Sequence, residues 1–197
     1  MISGPAGTGK GTVISELINS GLRFAYSVSA TTREPRAGEV DGVNYNFITR
    51  SKFEEFIKTG EVAEYFEYCG NYYGTLRREI ESKRKNGFNL ILEIEVNGAL
   101  NIKRAYPESV LVFLLPPDYE TIESRLRGRG TSSEEDIKKR MSRAAEEIKF
   151  LPEYDYVVFN RDGLCSLAAA EIIEIVRSEK RRTFRNPGIA EFFLSKQ

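Results

Sequence analysis

The chain of 197 residues has no histidine. That absence excludes every mechanism that needs an imidazole, including Ser-His-Asp hydrolysis and the common zinc sites. Cysteine is nearly as scarce. Cys69 and Cys165 lie far apart, match no metal-ligand spacing and read as idle thiols of a reducing cytosol. Excess charge is lacking too: 29 basic residues balance 29 acidic ones. Bulk charge therefore gives no case for a nucleic acid or a membrane surface as partner. The longest apolar run, Val110-Leu111-Val112-Phe113-Leu114-Leu115, is far too short to span a bilayer. With no secretory signal evident, the expected location is cytoplasmic.

What is present is a phosphate-binding pattern. Gly4-Pro5-Ala6-Gly7-Thr8-Gly9-Lys10-Gly11-Thr12 stands between Ile2-Ser3, which can end a strand, and Val13-Ile14-Ser15-Glu16-Leu17-Ile18. In that last run positions 13, 14, 17 and 18 share one helical face. Strand, glycine-rich turn, lysine and helix make a cradle of inward-pointing N–H groups at a helix N-terminus. Lys10 is placed to reach the outer phosphates of a nucleotide. The consensus puts Ser or Thr directly after the lysine, whereas here Gly11 stands there and the hydroxyl comes at Thr12. Met1 lies three residues before the loop, so the first strand is expected to be incompletely represented.

Along the chain, 24–29 reads as a strand and the Pro/Gly-punctuated stretch 30–42 as an ordered loop or hinge. A strand over 43–48 and a helix opened by a Ser51–Glu54 capping box follow. Strands at 62–68 and 71–74 come next, then a helix over about 76–86. Beyond it, strands at 88–95, 109–115 and 155–159 alternate with helices at 98–105, 118–127, 134–150 and 164–182. Gly128 to Ser133 is a flexible charged loop, and the tail 185–197 reads as loosely attached. The pattern specifies an α/β fold with a parallel sheet of about five strands and an inserted antiparallel lobe over about 30–80. Ligands of such sheets bind beyond the carboxyl ends of the strands.

Three groups of residues carry chemistry. Arg33 and Arg36, with Tyr45 close behind, suit a phosphate grip, although a solvated loop explains the two arginines equally well. Tyr72-Tyr73-Gly74 suits either a binding turn or simple packing. Glu93 ends the Leu90-Ile91-Leu92 strand, where an acid can orient a metal or form a salt bridge. Lys138, Lys139, Arg127 and Arg143 read as solvated helix charges.

Ser27-Val28-Ser29-Ala30-Thr31-Thr32-Arg33-Glu34-Pro35-Arg36, Gly38-Glu39-Val40-Asp41-Gly42 with Tyr45, and Gly70-Asn71-Tyr72-Tyr73-Gly74-Thr75 together resemble the guanylate kinases. The resemblance extends over the opening loop and Gly128-Arg129-Gly130-Thr131, up to about residue 180. It implies a P-loop three-layer fold, with a core of 1–29 and 81–184, a lid at about 127–140, a GMP-binding lobe of 30–80 and a tail of 185–197. It also implies ATP-dependent phosphorylation of GMP to GDP in purine nucleotide metabolism, with Mg2+ accompanying ATP. Arg33, Arg36, Tyr45 and Tyr73 are then expected on the GMP phosphate, and Ser29, Glu64, Thr75 and Glu95 on the guanine. At Glu95 the family usually has Asp. Gly4, Ala6, Gly7, Thr8, Gly9, Lys10, Gly11, Thr12, Arg125, Arg129 and Asn160 are expected on ATP. Lys10, Arg125, Arg129 and Arg140 are expected at the transferring phosphoryl group, and Glu93 and Thr12 near the metal through water. The partners implied are ATP and GMP, with the chain a monomer or homodimer. Two alternatives carry different chemistry: a non-catalytic guanylate-kinase-like binding module, and a kinase for another nucleoside monophosphate.

Overall fold

The computed structural model describes residues 1–128, 130 and 133–195. In chain order the elements are β1 (Ile2–Ser3), α1 (Lys10–Asn19), β2 (Phe24–Tyr26), β3 (Ala30–Thr31), β4 (Asn46–Phe47), α2 (Arg50–Lys58), β5 (Val62–Tyr68), β6 (Asn71–Leu76) and α3 (Arg77–Lys85). There follow β7 (Asn89–Ile91), α4 (Val96–Ala105), β8 (Val112–Leu115), α5 (Tyr119–Gly128), α6 (Glu134–Ile148), β9 (Tyr156–Phe159), α7 (Cys165–Lys180) and α8 (Ile189–Leu194).

β1, β8 and β9 pair in parallel, as do β2 and β7. The two groups join where the Ile2 N–H donates to Leu92 O at 2.9 Å and Ile2 bridges Glu93 in parallel. The core is thus a parallel sheet in the order β2-β7-β1-β8-β9. Parallel strands are covered on both faces, which explains the unbroken apolar run in β8. On one face Val13, Ile14 and Leu17 of α1 pack with Ala168, Ala169 and Ile172 of α7. On the other, Ile80 of α3 and Ala99 and Ile102 of α4 pack over Leu92 and Leu111. Burying a side chain such as Leu17 contributes about 1.5–3 kcal/mol. Beside β1, an apolar cavity of about 270 Å³ is lined by Leu90, Val110, Ile172 and Val176.

The lobe forms a second sheet, β4-β3-β6-β5, around Phe53, Phe56 and Leu76. It corrects the antiparallel expectation in one place. The two-residue pair β3–β4 is parallel, while β3–β6 and β5–β6 are antiparallel. The strand expected over 43–48 shrinks to β4 because Gly42 N–H donates to Tyr45 O and Val40 O accepts from Asn44 N–H, closing 40–45 into turns. The helix start expected at Ser51 moves back. Thr49 is the N-cap, its hydroxyl accepting from Lys52 N–H, and Glu54 pairs with Arg50 at 3.1 Å instead of reaching back. At α6 a capping box forms on Ser133 and Asp136. The tail is anchored at its start, where Arg185 pairs with the buried Glu179 at 3.0 Å and donates to Glu108 O, while α8 beyond it buries no side chain.

Candidate active site

The loop from Gly4 to Lys10 runs from the carboxyl end of β1 into α1. Gly9, the residue before the helix, has φ 84°, a left-handed conformation that only glycine adopts without strain. A β-carbon on it would collide with the Asn160 amide, so the loop and the end of β9 are built to touch. The Asn160 amide donates to Thr8 O at 2.9 Å, and Arg125 donates to Gly7 O and Thr8 O at 3.4 and 3.3 Å. With the Thr8 carbonyl tied outward, peptide planarity turns the following N–H, that of Gly9, to the opposite side. The first turn of α1 carries no acidic residue, so its N-terminal dipole is uncompensated. Lys10 Nζ donates to Gly4 O at 2.7 Å and Pro5 O at 3.1 Å, lying back over its own loop.

Arg125 shows a role that the sequence reading did not reach. Its Nη2 donates to Asn160 O at 2.8 Å and pairs with Asp162 at 2.6 Å. Nε also donates to Asp162. Every guanidinium nitrogen is engaged, which makes Arg125 a brace between the loop and the 160–162 turn. Arg140 lies exposed on α6. Arg129 lies outside the described residues. Thr12 is exposed on α1, while Glu93 lines a groove with Gly11, Ser15 and Tyr26, whose hydroxyl donates to it at 3.4 Å. Among the described residues no group of three or more Asp, Glu or Cys side chains could cage a metal alone. An isolated carboxylate and a hydroxyl nevertheless suit Mg2+, which keeps waters and binds through few protein oxygens plus nucleotide phosphates.

In the lobe, Arg33 makes a two-point pair with Glu39, both bonds 2.9 Å, and Arg36 N–H donates to the same carboxylate at 2.7 Å. Those bonds hold the Glu39 carboxyl down at about 2. The Arg33 guanidinium lies 5.5 Å from the Tyr45 ring centre, and Tyr45 meets Tyr73 edge-on at 6.1 Å. Phe66 stacks on Tyr73 at 5.5 Å. Arg33, Tyr45 and Tyr73 are therefore one cluster, beside the exposed Arg36. Glu39 organises it, although its importance could not be told from its place in a turn.

Where β5 and β6 meet α4, Glu64 is buried with only 6% of its surface exposed. Oε1 accepts from the Thr75 hydroxyl at 2.8 Å, and Oε2 is buried with no hydrogen-bond partner. Burial raises its pKa; Thr75 opposes the shift and the charge of Glu95 adds to it. Gly98 makes room for the carboxylate, since a β-carbon there would lie 2.8 Å from Oε2. Ser29, half-buried just before β3, accepts Asn46 N–H on its carbonyl at 2.8 Å. Glu95 is the residue before α4, and its carboxylate pairs with Arg143 of α6 at 2.7 Å. Arg143 also pairs with Glu147 at 3.0 Å. It stays exposed, as its sequence position suggests, but it is tied to two carboxylates. Burial raises the Glu147 pKa, against the opposing charges of Arg143 and Lys10.

A glycine loop braced at a helix N-terminus, facing a lobe of arginines, tyrosines and an unpaired buried carboxylate, defines a P-loop nucleotide-dependent phosphotransferase. The sequence profile described as Guanylate kinase matches residues 1–174. Guanylate kinase from Clostridioides difficile is 48% identical over 189 residues, covering 96% of this chain and 91% of the relative. Guanylate kinase from Streptococcus pyogenes serotype M3 is 50% identical over 186 residues, covering 94% and 87%. The crystal structure of guanylate kinase from Anaplasma phagocytophilum superposes with a TM-score of 0.74 at 30% identity, covering 98% and 92%. The chain belongs to the guanylate kinase family.

Proposed function

We propose that the chain transfers the γ-phosphoryl group of ATP to the phosphate of GMP, giving ADP and GDP. The observation that carries the acceptor's identity is the buried, unpartnered Oε2 of Glu64 beside Thr75. An unsatisfied buried acceptor costs about 1–3 kcal/mol. The N1–H and N2–H donors of guanine would satisfy it, and adenine lacks that pattern. Ser29 and Glu95 complete the base site, and Arg33, Arg36, Tyr45 and Tyr73 take the GMP phosphate.

On the donor side Gly4, Ala6, Gly7, Thr8, Gly9, Gly11 and Thr12 cradle ATP and Lys10 moves from its carbonyls to the phosphates. Arg140 and Arg129 belong to a lid over about 127–140 that closes on the transferring group, where a positioned arginine contributes about 10³–10⁵ in rate. The acceptor phosphate is already an anionic nucleophile, so no general base is required and catalysis is positioning and electrostatics. Mg2+ accompanying ATP would supply charge neutralisation, and Glu93 and Thr12 are the residues that would hold it. The two unpaired thiols, Cys69 and Cys165, suit a cytoplasmic setting.

A coupled assay of ADP formation with GMP, AMP and UMP tests the reading. Turnover with GMP alone is expected. Equal turnover of AMP would sink the role of Glu64, and no turnover with any acceptor would favour the binding module, against which the braced loop argues.

A further inference from the structure

Glu95 stands at the entrance to α4 without using its side chain as a cap. Its own helix therefore does not fix the carboxylate, and 47% of the side chain is exposed. Ordering a free glutamate on a ligand consumes binding energy, because rotamer freedom is lost at that moment. The structure supplies an external restraint. Nη2 of Arg143 meets Oε2 of Glu95 at 2.7 Å, and Nε of the same guanidinium is anchored on Glu147 at 3.0 Å. The side chain of Glu147 is only 19% exposed, so the anchor is firm. A carboxylate has two oxygens able to accept, and the recorded pair engages Oε2. Arg143 also places a positive charge beside Glu95, which otherwise disfavours ionisation of the neighbouring Glu64.

We propose that Arg143 is a positioning residue for the acceptor base. It holds Glu95 so that Oε1 faces an N–H of the guanine edge, and it compensates a second carboxylate in the base site. The inference rests on the reading that Glu95 touches the acceptor base.

Steady-state kinetics of the full chain with Arg143→Gln, Arg143→Lys, Glu95→Gln and the double variant test this. Arg143→Gln is expected to raise KM for GMP about fivefold to tenfold, the effect of freeing one long side chain. KM for ATP should stay unchanged, and Arg143→Lys should recover part of the loss. In the Glu95→Gln background the Arg143→Gln change should disappear. The pair is half-exposed, so the thermal midpoint should move little. An unchanged KM for GMP in Arg143→Gln, or equal rises for both nucleotides, overturns the proposal. If Glu95→Gln raises KM for GMP while Arg143→Gln does not, only this inference falls. If Glu95→Gln leaves it unchanged, the assignment of Glu95 to the base falls, and this inference with it.

Discussion

Glu64 holds a carboxylate where charge is disfavoured, and that makes its titration readable. Burial raises its pKa above the ordinary value of 4.5. For a raised group, the linked stability is fully present below the unfolded value and is lost as pH rises through the folded one. Without nucleotide, the wild-type protein should therefore lose stability relative to Glu64→Gln as pH climbs above 4.5 through that window. Thermal midpoints measured across it check the sign. On the proposed reading the ionised form is the one that accepts from guanine, so kcat/KM for GMP should fall on an acid limb displaced above the ordinary carboxylate range. In Glu64→Gln that limb should vanish, and kcat/KM should drop about 10–100-fold, matching 1–3 kcal/mol for one buried bond. An unshifted acid limb would mean that another group governs it. Thr75 was legible because it closes the motif that begins at Gly70, and Glu64 was named only through the resemblance that such motifs carry. The Arg143–Glu95 pair was not legible, since ion pairing between distant segments leaves no local pattern, and an arginine on a charged helix looks solvated. Glu39 pairs within its own loop, but a turn carboxylate gives no sign of which arginine it will hold.

At the level of elements, the loop and α1 separate two glycines that look alike in sequence. Gly9 combines a φ of 84° with contact to Asn160, whereas a β-carbon on Gly11 would meet nothing within 4 Å. Gly9→Ala should destabilise the protein by about 1–3 kcal/mol through backbone strain alone and abolish ATP binding. Gly11→Ala lies within α1 and should stabilise by about 0.4–1 kcal/mol by restricting the unfolded chain. Chemical denaturation of both variants checks the pair; equal effects would mean that the loop geometry is not what sets them apart. Periodicity revealed the elements of the core well, because parallel strands and amphipathic helices write their burial into composition. It was weaker in the lobe. The ends of β4 and α2 are decided there by turn bonds at 40–45 and by Thr49, and neither changes the hydrophobic pattern. Arg125 differs again: the resemblance implied a place beside ATP, but its contact with the Gly7 and Thr8 carbonyls depends on how α5 meets the loop.

Across the whole molecule, on the proposed reading, donor chemistry sits on the core sheet and acceptor chemistry mainly on the lobe sheet, and the two are joined where α4, with Glu95 at its entrance, packs on β5. Separate sites should bind separately, and stability reports that directly. A ligand present at 100 times its dissociation constant adds about 2.7 kcal/mol to the folded state. For a chain of this size each kcal/mol moves the midpoint by about 2–4 °C, so either nucleotide alone should raise it by roughly 5–11 °C. On the proposed reading Lys10→Ala removes the charge that meets the β- and γ-phosphates, and the bonds it breaks to the Gly4 and Pro5 carbonyls lie within the loop itself. The variant should lose the ATP shift and turnover while keeping the GMP shift, because Glu64, Thr75 and the Arg33 cluster are untouched. In the wild type, both nucleotides together should exceed the sum of the single shifts if closing the lid joins the two sites, whereas independent sites would add. Loss of the GMP shift in Lys10→Ala would place the acceptor within reach of the loop lysine and overturn the division of the molecule into a donor sheet and an acceptor lobe.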